Sequence, residues 1–170
     1  MEDYSNLKKD GLIMAEERGL FRNGITVYNL AVNLRSRYIS ENIIRRTWDF
    51  HKEHGVSITD GRETRLIFQN CAYAGMYCAM NPSGDPDRIL SLFENTYGIN
   101  RIEEYVEDAL KFSGRDSFSI SIVFRGIVEN LYNDNCYIYC SPEDTEARWE
   151  FYKAFASIMF EIGALYYLNR

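Results

Sequence analysis

The feature that most constrains this fold is the apolar stretch at the C-terminal end of the chain, residues 142–168. It opens on Ser141-Pro142-Glu143-Asp144, in which a capping serine, a proline and two carboxylates are typical of a helix start. Apolar residues then recur at helical spacing on two stripes and leave only a narrow polar face. A helix of this kind needs neighbours on nearly every side. The sequence therefore predicts an all-α protein built around a central C-terminal helix.

A second apolar segment, residues 60–80, has the composition of a partner for that helix. It begins with Asp60 followed by Glu63, a spacing that resembles a capping box. Small residues such as Ala72 and Gly75 would let another helix approach closely. We expect these two helices to form the buried centre of a single helical domain. This domain, residues 1–170, is predicted to be a compact bundle of about seven to eight helices.

Hydrophobic periodicity also predicts helices on either side of the 60–80 segment. Ser40 is expected to cap one of them, which would separate it from the helix before it. The predicted ranges are 3–18, 25–37, 40–55, 85–98 and 100–112.

Residues 116–133 carry two competing patterns. Their apolar residues alternate with polar ones as in a strand, yet Ile120, Phe124 and Leu131 also fit one helical face. The length of the pattern favours a helix. Beyond it we expect a turn at 133–135 and a short extended connector at 136–140.

The charge of the chain is unevenly distributed. The formal net charge is −6, which disfavours nucleic acid as a general partner because phosphate affinity comes from clustered Lys and Arg. Residues 18–54 nevertheless carry a net +4, and residues 134–150 a net −4. Such runs usually only solvate a surface, but an acidic surface can also speed association with a basic protein. The residues assigned to partner binding on this basis are Asp134, Glu143, Asp144, Glu146 and Glu150.

No motif for catalysis, cofactor binding or metal binding is found. Gly-rich phosphate loops, nucleophile elbows and paired-histidine zinc motifs are absent. His51 and His54 are three residues apart rather than four, and Cys136 and Cys140 do not have the spacing of a zinc knuckle or a redox pair. We therefore predict no catalytic, cofactor-binding or metal-binding residues and no cofactor, a pattern that favours a protein without enzymatic activity over an enzyme.

Four carboxylates on the predicted 100–112 helix are residue types that can do acid–base work or bind cations. Helical spacing predicts that they lie opposite the apolar side of that helix, and Lys111 follows Glu107 by four residues. The pattern therefore favours a solvated face. The four residues are Glu103, Glu104, Glu107 and Asp108.

The leading functional interpretation is a cytoplasmic, non-enzymatic protein-binding module. One concrete form is an inhibitor or immunity-type protein that docks on a basic partner. Two alternatives stay open: a DNA-binding regulator with a degenerate helix-turn-helix at 27–53, and an enzyme of unrecognised type with a pocket between helices. No membrane association is expected, since no apolar run is long enough to span a bilayer. Association with a second copy of the chain is left open.

Overall fold

The computed structural model describes residues 3–21, 30–53, 62–81, 84–85, 87–88, 101–141 and 143–169. These residues are all-helical, with no strand among them, and they pack into one compact body. Within them the chain forms six helices rather than the predicted seven to eight. The helices are α1 (Ser5–Glu17), α2 (Leu30–Glu53), α3 (Arg62–Met80), α4 (Arg101–Leu110), α5 (Gly114–Tyr139) and α6 (Thr145–Leu168).

One reason why the number of helices is smaller than predicted is that α2 is continuous. The prediction of a helix end at residue 37 and a new start at Ser40 was wrong, because residues 37–40 are helical. Ser40 is buried, and its hydroxyl donates to the carbonyl oxygen of Arg37, 3.4 Å away. A serine inside a helix commonly bonds the backbone of the preceding turn in this way. Most of the predicted helix 85–98 lies outside the described residues.

Helix α5 begins earlier and ends later than expected. Ser113 is its N-cap and accepts a hydrogen bond from the Asp116 backbone N–H at 3.2 Å. The turn predicted at 133–135 and the extended connector at 136–140 were wrong, since the helix runs to Tyr139. Asn135 is buried, and its amide donates to the Leu131 carbonyl at 2.8 Å. The side chain that suggested a turn therefore bonds within the helix.

Helices α3 and α6 cross in backbone contact at the centre of the molecule. A Cβ atom on Gly75 would overlap the carbonyl oxygen of Phe160, and one on Gly163 would overlap the carbonyl oxygen of Ala72. Each glycine thus admits the backbone of the other helix, where any side chain would hold the two apart. The expected pairing of these two helices is confirmed.

An aromatic cluster extends this interface towards α5. The Phe68 ring on α3 lies 4.4 Å from that of Phe155 on α6, and the ring of Tyr132 on α5 lies 6.0 Å from that of Phe155. All three side chains are almost completely buried. Helix α6 also packs against α1 and α2, so it is surrounded as its sequence predicts.

Among the described residues no helix has both the length and the hydropathy that crossing a lipid bilayer requires.

Candidate functional site

The N-terminal turn of α6 carries most of the acidic residues that the sequence assigns to partner binding. Its N-cap is Asp144 rather than Ser141, and the Asp144 carboxylate accepts a hydrogen bond from the Ala147 backbone N–H at 3.0 Å. Glu143, Asp144, Glu146 and Glu150 are all exposed. Asp144 and Glu146 complement the positive end of the helix dipole, which accounts for part of this charge without a partner.

A cleft of about 430 Å³ lies beside this turn. Its lining comes from α2 and from the start of α6, two helices that pack together. Glu146 is the one predicted binding residue in the lining. The cleft is lined by Arg45, Asp49, Thr145, Glu146 and Trp149.

Trp149 gives the cleft an aromatic surface. The residue is half-buried, and the Lys153 ammonium lies 5.8 Å from the centre of its ring. Lys153 also forms an ion pair with Glu150 at 2.8 Å. The ring therefore already accepts a cation, and the charge of Glu150 is largely balanced within the helix. Asp49 and Glu146 are the two carboxylates that remain in the cleft.

Of the five lining residues, the sequence assigned only Glu146 to partner binding. Trp149 lies in the apolar pattern of the C-terminal helix, and Asp49 lies within the 27–53 segment considered for DNA binding. The cleft forms because α2 continues past Ser40 and carries Arg45 and Asp49 to the start of α6. Arg45 of the basic region, 18–54, and Glu146 of the acidic region, 134–150, thus line the same cleft. Arg45 also donates a hydrogen bond to Asn42 Oδ1 at 2.7 Å.

The fifth predicted binding residue, Asp134, lies on a different helix. It is exposed near the C-terminal end of α5, and it does not line the cleft. Of the five residues only Glu146 is therefore part of the cleft lining.

A second, smaller cleft of about 290 Å³ lies between α5 and the C-terminal end of α6. Phe112, Val123 and Tyr166 supply apolar walls, and Asp116 is the carboxylate in its lining. Its lining has one charged group and no nucleophile paired to a base, so it has fewer groups for binding or catalysis than the first cleft.

The 100–112 carboxylates do not all form the solvated face that the sequence favours. Glu104 and Asp108 are exposed, but Glu103 and Glu107 are half-buried. The Tyr73 hydroxyl of α3 donates to Glu103 Oε1 at 3.3 Å, and nearby the Gln69 amide donates to the Ser121 hydroxyl of α5 at 3.1 Å. These polar contacts join α3 to α4 and to α5.

The environment of Tyr73 and Glu103 shifts both groups towards their protonated forms. Burial, with the nearby charge of Glu107 as the second cause, raises the pKa of Glu103. Burial, followed by the charges of Glu103 and Glu107, raises the pKa of Tyr73 far above its usual range. Tyr73 has no solvent-accessible surface, so no substrate reaches its hydroxyl. We interpret the pair as a structural contact.

The other candidates for chemistry are dispersed. Among the described residues no group of three His, Cys, Asp or Glu side chains is placed to bind a metal ion. Cys71 is fully buried, which raises the pKa of its thiol, while Cys136 and Cys140 are half-buried at the end of α5. His54 lies outside the described residues.

Comparison with known proteins assigns no family to the chain: no protein-family model matches it, and neither does any curated protein or any solved structure.

Proposed function

We propose that this protein is a non-enzymatic binding module that docks on a basic surface of another protein through the cleft between α2 and α6. The observation that carries the proposal is the lining of that cleft, where Trp149 lies with Asp49 and Glu146. An aromatic ring with carboxylates beside it suits a lysine or arginine side chain, which binds by cation–π attraction and ion pairing together.

Two further observations support a basic partner. Trp149 is half-buried rather than fully buried, so part of its ring is accessible to a cation of the partner. Glu143 and Asp144, next to the cleft in sequence, are exposed and extend the negative charge beyond it. The positive charge of Arg45, in the same lining, opposes this negative charge. It would favour a partner in which a carboxylate that can pair with Arg45 accompanies the basic residue.

An inhibitor or immunity-type protein is the concrete form that we favour. Such a protein neutralises its target by covering a surface, which requires no catalytic residue of its own. Charge complementarity would mainly raise the association rate and exclude wrong partners.

The continuous helix α2 favours the binding module over the DNA-binding alternative. A helix-turn-helix at 27–53 needs a turn between its two helices, whereas residues 30–53 form one helix. Arg45 and Asp49, which lie in the second half of that segment, line the cleft beside α6.

The proposal is tested by comparing two double variants as baits in affinity capture from the native host. Asp49→Lys with Glu146→Lys reverses the cleft. Asp10→Lys with Glu17→Lys reverses two exposed carboxylates on α1 and changes the net charge by the same amount. We expect the wild type and the α1 variant to capture the same protein and the cleft variant to lose it.

The captured protein then allows a kinetic test. The cleft variant should associate at least about tenfold more slowly than the wild type at low salt, and the difference should shrink as salt rises. Equal rates for the two proteins at low salt would remove the cleft from the binding surface. Equal slowing by both double variants would assign the effect to net charge.

A further inference from the structure

Helix α5 exposes an apolar surface that faces away from its packed side. Its buried residues, among them Ile120, Phe124 and Ile127, pack against α1, α3 and α6. On the other side Phe118 and Ile122 are 69% and 41% exposed. They lie one turn apart and therefore share a face. Two large exposed apolar side chains on the same helical face of a charged protein mark a candidate interaction surface.

The same face carries charges in a regular order. Arg115 precedes Phe118 by three residues, and Arg125 and Glu129 follow Ile122 by three and seven. These positions share one helical stripe, and all three charged residues are exposed. No ion pair joins any of them to another side chain in the described part of the chain.

We propose that this stripe binds the same stripe of a second copy of the chain, with the two α5 helices antiparallel and a two-fold axis at Ile122. A two-fold interface is self-complementary, so each contact occurs twice. With the axis at Ile122, Arg115 lies opposite Glu129 of the second copy, and Phe118 opposite its Gly126. Ile122 packs on its own symmetry mate, and Arg125 faces the second copy's Ser119, so no like charges meet.

Gly126 gives Phe118 of the second copy a place to pack. A Cβ on Gly126 would have only Arg18 Nε near it, at 3.8 Å. The ring would therefore meet bare backbone and the edge of a guanidinium group, which attracts aromatic faces. This contact needs no movement of a buried side chain.

Other arrangements leave the charges unmatched. A parallel pair would place Arg115 against Arg115 and Phe118 against Phe118, and like charges at close range oppose association. An antiparallel pair centred on Phe118 would place Ile122 opposite Gly114 and leave Glu129 beyond the start of the other helix. One centred on Arg125 would place Phe118 opposite Tyr132, which is buried. The Ile122 register alone among these matches both apolar and charged residues.

The oligomeric state of the full chain tests this proposal. Sedimentation equilibrium across micromolar to millimolar concentrations should show a monomer–dimer equilibrium for the wild type. Ile122→Lys should weaken the dimer by at least about a hundredfold, because it buries two unpaired ammonium groups at the axis. Ile13→Lys is the matched control, since Ile13 is 42% exposed on α1, and it should dimerise as the wild type does.

Charge exchange tests the register. Arg115→Glu and Glu129→Arg should each weaken the dimer by about tenfold or more, because each replaces two attractive pairs with repulsive ones. The double variant should recover the wild-type affinity. An equimolar mixture of the two single variants should form a heterodimer in which both ion pairs are attractive, and it should associate more tightly than either variant does alone.

Several results would overturn the proposal. A wild type that stays monomeric throughout the range contradicts it, as does a dimer that Ile122→Lys leaves intact. Loss of the dimer in both single charge variants without recovery in the mixture would rule out the antiparallel register. Thermal unfolding of each variant checks that the fold is retained, which we expect because every substituted side chain is exposed.

Discussion

Two residues of α6, Gly163 and Glu161, lie two positions apart and hold the helix to different neighbours by opposite means. Gly163 lets α3 approach until the backbones touch at Ala72. Glu161 is nearly buried and forms an ion pair with Lys8 of α1, with 3.1 Å between Oε2 and Nζ. The first contact depends on the absence of a side chain, and the second depends on the presence of two charged ones.

The difference has consequences for how each contact fails. At Gly75 and Gly163 the contact is made by backbone atoms rather than by carboxylate or ammonium groups, so pH should affect it little, but it has no space for an added atom. The strength of the α1–α6 ion pair instead depends on the ionisation of Glu161. Burial raises the pKa of Glu161, and the Lys8 ammonium partly offsets this shift.

The largest effect is expected at the glycine crossing. Gly163→Ala should lower the free energy of unfolding by about 4–5 kcal/mol, because the new methyl group must force two backbones apart. Gly75→Ala should behave similarly. Gly114→Ala is the control, since its Cβ would meet no atom within 4 Å at the start of α5. Urea denaturation measures all three variants. A Gly163→Ala variant as stable as the Gly114→Ala variant would mean that the helices do not touch there.

The aromatic cluster beside the crossing should be the next most sensitive place. Phe155→Ala removes a fully buried ring that packs against Phe68, and it should cost about 3–4 kcal/mol. The loss should be the same at pH 5 and pH 8, because no charge changes. Denaturation at both pH values checks this. A cost below about 1 kcal/mol would place α6 at the periphery of the fold.

The ion pair should show a smaller and pH-dependent effect. Lys8→Met keeps much of the side-chain volume but leaves the Glu161 carboxylate without its cation, at a cost of about 1–3 kcal/mol near neutral pH. Because burial raises the pKa of Glu161 above its ordinary value of 4.5, the carboxylate takes up a proton as the pH falls towards that value, and the cost should shrink. Stability measured from pH 4 to pH 8 tests this. A pH-independent cost would mean that Lys8 acts through packing alone.

The smallest effect concerns Glu103. Its pKa is raised in the folded state, so the folded protein binds more protons than the unfolded chain above pH 4.5, and stability falls as pH rises through the folded value. Glu103→Gln keeps an oxygen to accept from Tyr73 and removes this dependence. It should be more stable than the wild type near neutral pH, by less than about 1 kcal/mol, and equal to it near pH 4. Glu104 is exposed, so the control variant Glu104→Gln should not change the dependence of stability on pH. The assignment fails if both variants give the same profile.

The helices that form the core could largely be predicted from the sequence. The apolar stripes of residues 142–168 and the small residues of 60–80 predicted two buried helices in close contact, and α6 and α3 confirm this. The boundaries were less accurate, because Ser40 and Asn135 have residue types that favour helix ends and turns. Burial reverses that preference, since a buried polar side chain bonds the preceding turn of its own helix when no water is available.

The candidate site was only partly predictable. The acidic charge near the start of α6 is visible in the sequence, and Glu146 does line the cleft. Asp49 and Trp149 were not assigned to it, because their roles depend on α2 packing beside α6 over a separation of about a hundred residues. Local pattern carries no information about such a pairing.

What the sequence alone determines is the helical class, the central place of the C-terminal helix and the need for a close partner. These follow from periodicity and residue size, which act within a few turns of one helix. Only the tertiary structure decides that Glu103 faces Tyr73 rather than water, that Glu161 meets Lys8, and that Asp49 lies in the cleft with Glu146. The physical reason is that a charged side chain takes its environment from whichever helix packs against it. That choice is made by the fit of all the apolar faces together.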